Sequence, residues 1–189
     1  MFRNLSTLVI AASITLALLS GTAKAADKPA TFTKIPTVKG IETLKAGAKA
    51  PDFAVTDLTD KEFRLKDSLD KGPTLLFFWS FFCGPCREEI PMINEMTRQF
   101  SPKGLSVVGV NLDGRDMKKA VDKFYAAEKL TFRIVFDELV GDAFAVADPY
   151  GVAGTPALFL VGKDGTISFS VVGSVTGEQL KKEIEKVIK

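Results

Sequence analysis

Cys83 and Cys86 are the only cysteines in this chain of 189 residues, and they stand three positions apart within FFWSFFCGPCREEIP. Cysteines at this spacing can form a structural disulfide, supply half of a metal site, or act as a redox couple. Zinc sites usually need further cysteines or histidines, and this chain has no histidine and no third cysteine. A disulfide that closes so short a loop constrains the unfolded chain little, so it would stabilise the fold only weakly. The redox interpretation is therefore favoured, and we expect no metal and no cofactor beyond the disulfide itself.

The residues around the pair also favour reactivity. A run of apolar and aromatic residues without alternation precedes Cys83 and is typical of a buried strand, and a helical pattern begins at Cys86. Cys83 is therefore expected at a helix N-terminus, where backbone N–H groups and the helix dipole favour a thiolate. Pro85 lacks an N–H and has a fixed φ, which suits a first helical turn. We predict that Cys83 attacks a substrate disulfide and that Cys86, which is more shielded, resolves the mixed disulfide.

The two residues between the cysteines bear on the direction of electron flow. Strongly oxidising couples owe their potential to groups that stabilise the thiolate. Gly84 and Pro85 supply no positive charge of that kind. We therefore expect a reducing couple, nearer to about −270 mV than to about −120 mV.

Strands and helices that could position these residues alternate along the chain. Residues 51–69 alternate apolar and polar positions around a polar turn, which predicts a two-stranded hairpin. Later segments alternate between strand and helix, with a short helix predicted at 138–147 and a terminal β-hairpin around Asp164-Gly165. Parallel crossovers combined with an antiparallel hairpin predict an α/β fold, with a mixed central sheet and helices on both faces. In the helix after Cys86, the residues predicted to be exposed are Arg87, Glu88, Glu89 and Arg98.

Residues 1–25 have the features of an export signal. Arg3 gives a positive start, an uncharged apolar stretch follows, and Ala23-Lys24-Ala25 has the form that signal peptidase recognises. We predict cleavage after Ala25 and export to the periplasm, and the alternative is an uncleaved membrane anchor. Residues 26–47 are predicted to form a linker or arm, and residues 48–189 the folded domain.

The charge balance argues against nucleic acid as a partner. Removing residues 1–25 takes away two of the 25 basic residues and no acid, which leaves 23 of each sign. A neutral chain without a basic cluster offers no electrostatic site for nucleic acid. We expect a single domain that is a monomer.

Several motifs together resemble those of thioredoxins. FFWSFFCGPCREEIP, with Trp79 before the cysteines and Pro91 after them, looks like the active-site strand and helix of that family. GVAGTPALFLVGKDG resembles the family's later loop, in which a Thr-Pro pair carries a cis-proline. The export signal, the hairpin APDFAVTDLTDKEFRL and the segment FRIVFDELVGDAFAVADPYGV resemble more closely the periplasmic thiol-disulfide proteins of the TlpA, ResA and CcmG type. The resemblance covers residues 48–189 and implies a thioredoxin-like fold with an N-terminal β-hairpin and a central βα insertion.

The resemblance also implies roles for further residues and partners. A cis bond between Thr155 and Pro156 would leave the backbone of Thr155 beside Cys83, where it could pair with an extended substrate segment. Trp79 is expected to pack largely in the core, and Phe82 to offer an apolar contact to the substrate. The implied substrate is a disulfide-containing protein such as apocytochrome c. The implied partner that recharges the reductant is a membrane thiol electron donor.

Two departures from the family concern the proton of Cys86. Thioredoxins usually carry a buried Asp where this chain has Phe77, and ResA-like proteins often carry a Glu where it has Thr56. The adjacent Asp57 should point to the opposite face of its strand. We therefore expect deprotonation of Cys86 to depend on water.

Two other functions stay open. A peroxiredoxin-like thiol peroxidase would share the fold, and Ser80-x-x-Cys83 superficially resembles its site, although Leu76 stands where that motif has proline. A non-catalytic binding domain could also keep a thioredoxin fold. Retention of both cysteines beside Gly84-Pro85 disfavours the binding domain.

Overall fold

The structure is a computed structural model that describes residues 41–188. The segment 1–25, predicted as an export signal, and most of the predicted arm lie outside the described residues and stay predictions. Among residues 41–188, no helix combines the length and the apolar character that crossing a bilayer requires.

Short strands and four α-helices make up the described part of the chain. The strands are β1 (Ala54–Thr56), β2 (Glu62–Arg64), β3 (Thr74–Trp79), β4 (Ser106–Asn111), β5 (Arg133–Phe136), β6 (Leu139–Val140), β7 (Ala143–Phe144), β8 (Ala157–Val161) and β9 (Ile167–Val172). The helices are α1 (Leu65–Leu69), α2 (Gly84–Phe100), α3 (Lys118–Ala127) and α4 (Gly177–Val187).

Five of these strands form a mixed sheet in the order β5-β4-β3-β8-β9. Strands β3, β4 and β5 are parallel, whereas β8 pairs antiparallel with both β3 and β9. Every residue of β3 is buried, because this central strand is covered on both faces. The predicted mixed sheet with β3 at its centre is confirmed, and the carboxyl ends of β3, β4 and β5 meet at one edge.

The two faces of the sheet are covered differently. The three longer helices share one face, where Ile90 of α2, Phe124 of α3 and Leu180 of α4 belong to one apolar cluster with the strands. The other face is covered by the β1–β2 hairpin, by α1 and by the segment around the buried Tyr150. Helices therefore lie on both faces as predicted, but within residues 41–188 the helix on the second face is α1, which has five residues.

Local predictions outside the sheet had mixed outcomes. The β1–β2 hairpin is confirmed, as are the turn at Asp164-Gly165 and the Thr176 cap of α4, whose hydroxyl accepts the Gln179 N–H at 3.2 Å. The short helix predicted at 138–147 is wrong, because β6 and β7 form a tight antiparallel hairpin there. Gly141, with φ +67°, supplies the left-handed turn that joins the two strands.

The described end of the predicted arm is fastened to the domain. Leu44 N–H donates to the Tyr150 carbonyl at 3.1 Å, and Gly47 N–H donates to the Ile167 carbonyl at 2.8 Å. Both donors precede residue 48 and so belong to the predicted arm. The domain boundary at that residue stays a prediction.

Candidate active site

The two cysteines form a disulfide at the start of α2. The S–S distance is 2.05 Å and the Cα atoms are 5.2 Å apart. Cys83 is the N-cap residue of the helix, and its sulfur accepts the Cys86 N–H at 3.2 Å. Cys83 is half-buried, whereas Cys86 is fully buried. Only one sulfur of the pair therefore lies near the surface.

The residues between the cysteines shape the first turn of the helix. Gly84 is exposed, and a Cβ added there would meet no atom within 4 Å. Pro85 occupies one of the first two helical positions, where its missing N–H has no intrahelical partner to lose. Arg87 follows the pair, but its guanidinium lies over the rings of Phe81 and Phe124, at 5.9 and 5.4 Å.

The aromatic residues before Cys83 divide into a buried and an exposed set. Trp79 is fully buried at the end of β3 and stacks on Phe77 and Phe124, with centroids 6.5 and 5.9 Å away. It supports the loop from below and does not reach the surface. Phe82 is 72% exposed, and among residues 41–188 its one aromatic neighbour is Phe81, whose ring is perpendicular to it with the centroids 5.3 Å apart.

Strand register brings Thr155 and Pro156 to the same edge of the sheet as the cysteines. Phe78 of β3 pairs with Ala157 of β8. The two residues that precede Ala157 therefore lie opposite the end of β3 and the loop to Cys83. The Thr155–Pro156 peptide bond is cis.

A carboxylate that the sequence analysis missed holds the loop before Cys83. Asp113, two residues beyond β4, accepts hydrogen bonds from the Ser80 hydroxyl and the Phe81 N–H, both at 2.6 Å. The Asn111 side-chain amide donates to the same carboxylate at 2.8 Å. Since Ser80 and Asp113 are 33 residues apart, only the pairing of β3 with β4 brings them together.

For Glu89, the position predicted from the sequence is wrong. It was expected on the exposed face of α2, but it is only 6% exposed, three residues beyond Cys86 on the buried face. Its Oε1 accepts the Val175 N–H at 2.9 Å, and its Oε2 has no hydrogen-bond partner among residues 41–188. Burial raises the pKa of Glu89 to about 7, although the hydrogen bond from the Val175 N–H opposes the shift.

The positions at which related proteins carry an acidic residue, 77 and 56, hold Phe77 and Thr56 in this chain. Phe77 is buried in the core and Thr56 is half-buried in β1. Asp57 bridges Val135 of the edge strand β5, which is separated by β4 from β3, the strand that leads to the cysteines. Burial raises the pKa of Asp57, but hydrogen bonds from Lys61, Thr59 and Arg133 together hold it below its usual value.

The part of the chain that the structure describes offers no cluster of three His, Cys, Asp or Glu side chains placed to hold a metal ion. A further buried carboxylate, Asp137, follows the last residue of β5 and accepts hydrogen bonds from the N–H groups of Val146 and Ala147 at 2.9 and 2.7 Å. These bonds fasten the segment after β7 to the end of β5.

Comparison with known proteins agrees with this geometry. Residues 46–170 match the AhpC/TSA family. The thiol-disulfide oxidoreductase ResA of Bacillus thuringiensis (strain Al Hakam) is 34% identical over 146 residues, which cover 77% of this chain and 80% of that protein. ResA of Geobacillus thermodenitrificans is 36% identical over 141 residues, with 75% and 77% covered. A Chlorobium tepidum structure assigned as the thiol:disulfide interchange protein DsbE is 33% identical, with a TM-score of 0.68, and covers 78% of this chain and 100% of its own.

Proposed function

This chain belongs to the AhpC/TSA family and is a thiol-disulfide oxidoreductase with a thioredoxin-like fold, and on that premise we propose that it is an exported reductant of disulfides in specific protein substrates. The observation that carries the proposal is the asymmetry of the pair, in which Cys83 is half-buried and Cys86 fully buried. A substrate disulfide can approach Cys83 far more readily than Cys86. Cys83 is therefore the attacking residue and Cys86 the resolving one.

The reaction begins from the dithiol form. The Cys83 thiolate attacks one sulfur of the substrate disulfide, that disulfide breaks, and the other substrate sulfur leaves as a thiolate that takes up a proton. Cys86 then loses its proton and attacks the Cys83 sulfur of the mixed disulfide. The second substrate sulfur leaves as a thiolate, and the product is the Cys83–Cys86 disulfide seen in the structure. Two electrons pass to the substrate.

Glu89 is the proposed acceptor of the Cys86 proton. Both side chains lie on the buried face of α2, and residues three apart on a helix are neighbours. A carboxyl with a pKa of about 7 is a better base at neutral pH than an ordinary surface glutamate. This proposal replaces the expectation that water alone receives the proton.

The other site residues are proposed to guide the substrate or the loop. Phe82 covers apolar surface of the substrate, and the backbone of Thr155, before cis-Pro156, pairs with an extended segment beside its disulfide. Gly84 and Pro85 shape the helix start, and Trp79 supports the loop from the core.

The residues around Cys83 support the proposed direction of electron flow, from this protein to its substrate. Neither Gly84 nor Pro85 is charged, and the nearby Arg87 faces aromatic rings. Because the residues between the cysteines are uncharged, they add no stabilisation to the Cys83 thiolate, which favours a reducing couple. Equilibration with defined glutathione buffers measures the potential, and a value above that of the exported compartment would contradict the assignment.

A reductant in an oxidising compartment needs a dedicated source of electrons. We propose a membrane thiol electron donor for this role and a disulfide protein such as apocytochrome c as the substrate. Export is supported by the sequence features of residues 1–25. Cell fractionation with mass spectrometry of the purified protein tests it, and the expected mature chain begins at Ala26.

Trapping of the substrate tests the central proposal. Cys86→Ser should accumulate a mixed disulfide between Cys83 and its substrate, because the resolving thiol is gone. The matched variant Cys83→Ser should trap nothing. Equal trapping by the two variants, or by neither, would contradict the assigned roles.

A thiol peroxidase is the alternative that needs excluding by experiment. The Ser80 hydroxyl donates to Asp113, so it is engaged away from the cysteine that it would assist in a peroxidase site. Peroxide consumption that is lost in Cys83→Ser but kept in Cys86→Ser would favour that alternative over the reductant.

A further inference from the structure

We propose that Asp113 is a positioning residue that holds Phe82 in the orientation in which it meets a protein substrate. The inference rests on the proposed function, since it concerns how the reductant docks its substrates. Asp113 itself touches neither cysteine in the hydrogen-bond network of the described residues.

The carboxylate organises two consecutive backbone positions of the loop. It accepts the Phe81 N–H directly at 2.6 Å. It also accepts the Ser80 hydroxyl at 2.6 Å, and that hydroxyl oxygen in turn accepts the Phe82 N–H at 3.1 Å. The backbone on either side of the Phe81–Phe82 bond is thus tied to one side chain on a neighbouring loop.

A carboxylate suits this place because three donors converge on its two oxygens. The third donor is the Asn111 amide, and the Asn111 oxygen accepts the Asp113 N–H at 3.1 Å, which fixes the carboxylate in turn. Bonds to an ionised acceptor are short and strong. An asparagine at 113 would offer one acceptor oxygen and would turn an N–H₂ group toward one of the donors.

The orientation of Phe82 depends on the hydrogen bonds to Asp113 more than the position of Cys83 does. The residue is 72% exposed, and Phe81 is its one aromatic neighbour in the described part of the chain, so core packing does not set the direction of its ring. Cys83 has anchors in α2 that do not involve Asp113, because its sulfur accepts the Cys86 N–H at 3.2 Å and its carbonyl accepts the Arg87 N–H at 3.2 Å. Loosening the loop should therefore impair contact with a large substrate before it impairs the thiol chemistry.

The test compares a protein disulfide with a small one. The fully reduced protein is mixed with insulin or with 5,5′-dithiobis(2-nitrobenzoate), and the second-order rate constant for each is measured in a single turnover. Asp113→Asn should lower the insulin rate constant about tenfold and leave that for the small disulfide within about twofold. Asp116→Asn, an equal change of charge at an exposed residue of the same loop, should alter neither.

Two further variants separate orientation of Phe82 from general damage. Ser80→Ala removes the link to the Phe82 N–H and should lower the insulin rate in the same direction as Asp113→Asn. Phe82→Ala should also lower it, and adding Asp113→Asn should then cost no more than about twofold, since no ring is left to orient. The inference is supported by this non-additivity.

Other outcomes would overturn it. Equal losses with both disulfides would mean that Asp113 merely stabilises the site, and additive losses in the double variant would mean that it acts apart from Phe82. Normal insulin rates in Asp113→Asn would contradict this inference alone. A wild-type protein that reacts with insulin no faster than dithiothreitol does would contradict the proposed function and this inference with it.

Discussion

Glu89 lies one turn of α2 beyond Cys86, and both side chains are buried on the same face of the helix. The carboxyl is held at one oxygen by the Val175 N–H, while the other oxygen has no partner among residues 41–188. A buried carboxyl with a pKa of about 7 can take up and release a proton near neutral pH.

Replacing Glu89 should slow the resolving step. Without a base beside Cys86, Glu89→Gln should reduce the rate of mixed-disulfide resolution at pH 8 by about 100-fold, which is typical of losing a general base. The wild-type rate should rise with pH through about 7, and the variant should lack that rise. Stopped-flow measurement of the dithiol reaction follows both effects.

The matched control for this prediction is Glu88→Gln on the same helix. Glu88 is exposed, so its loss should leave the rate unchanged. Identical pH profiles for the wild type and Glu89→Gln would show that the proton goes elsewhere.

The same carboxyl should make the stability of the oxidised protein depend on pH. The folded state keeps this proton up to about pH 7, whereas an unfolded chain releases it near 4.5. Between these values the folded state binds more protons, so raising the pH favours unfolding. The stabilisation is present in full below pH 4.5 and is lost as the pH rises through 7, by up to about 3 kcal/mol.

Urea denaturation of the wild type and Glu89→Gln at pH 4.5 and 8 measures this dependence. The difference in unfolding free energy between the two proteins should change by up to about 3 kcal/mol from pH 4.5 to pH 8, so that the variant gains stability relative to the wild type. An equal difference in unfolding free energy at the two pH values would refute the proposed link between protonation of Glu89 and stability.

Asp57 should matter for stability and not for catalysis. It is 5% exposed, its pKa is lowered by its hydrogen-bond donors, and it pairs with Arg133 at 2.6 Å. Asp57→Asn should lower the free energy of unfolding at pH 7 by about 2 kcal/mol, because bonds to a charged acceptor are lost. The deficit should shrink as the pH falls through the lowered pKa, where the wild-type carboxyl is protonated too. Dithiol kinetics should stay at the wild-type rate, and a slow resolving phase would reassign Asp57 to the reaction.

Gly109 in β4 should tolerate no side chain. A Cβ there would lie 2.8 Å from a ring carbon of Phe132 and 3.1 Å from Nε1 of Trp79. Gly109→Ala should therefore cost about 1–3 kcal/mol of unfolding free energy through overpacking. Gly84→Ala adds the same methyl group in open space at the start of α2, and its stability should change by no more than about 0.5 kcal/mol. Chemical denaturation of both oxidised variants compares them, and equal losses would contradict the packing argument.

Local sequence signals predicted the parts of the fold that depend on neighbouring residues. The apolar run before Cys83 predicted the central strand, and the spacing after Cys86 predicted α2, since strand burial and helix periodicity are both written within short windows. The tight turn at Gly141 carried a local signal too, but the apolar residues beside it were interpreted as a helix. A glycine followed by Asp142 between two short apolar pairs is typical of a hairpin turn.

The missed site residues differ in how far they could have been predicted. Glu89 falls between Cys86 and Ile90 on the buried stripe of α2, so helical spacing alone could have placed it inward. Asp113 gave no such signal, because its partner Ser80 is distant in the sequence and meets it only through strand pairing. A network between loops of different strands requires the register of the sheet, which local periodicity does not contain.

As the proposed substrate contact, the exposed ring of Phe82 would give the protein affinity without selectivity. Covering most of an aromatic side chain contributes about 2–3 kcal/mol to a complex, or roughly a hundredfold in the dissociation constant. Apolar burial has no direction, so this contribution to the binding free energy is the same for any partner with an apolar surface patch beside its disulfide. Discrimination among partners must then come from directional groups at the same edge of the sheet, and complexes held chiefly by this ring would dissociate quickly after the second sulfur is released.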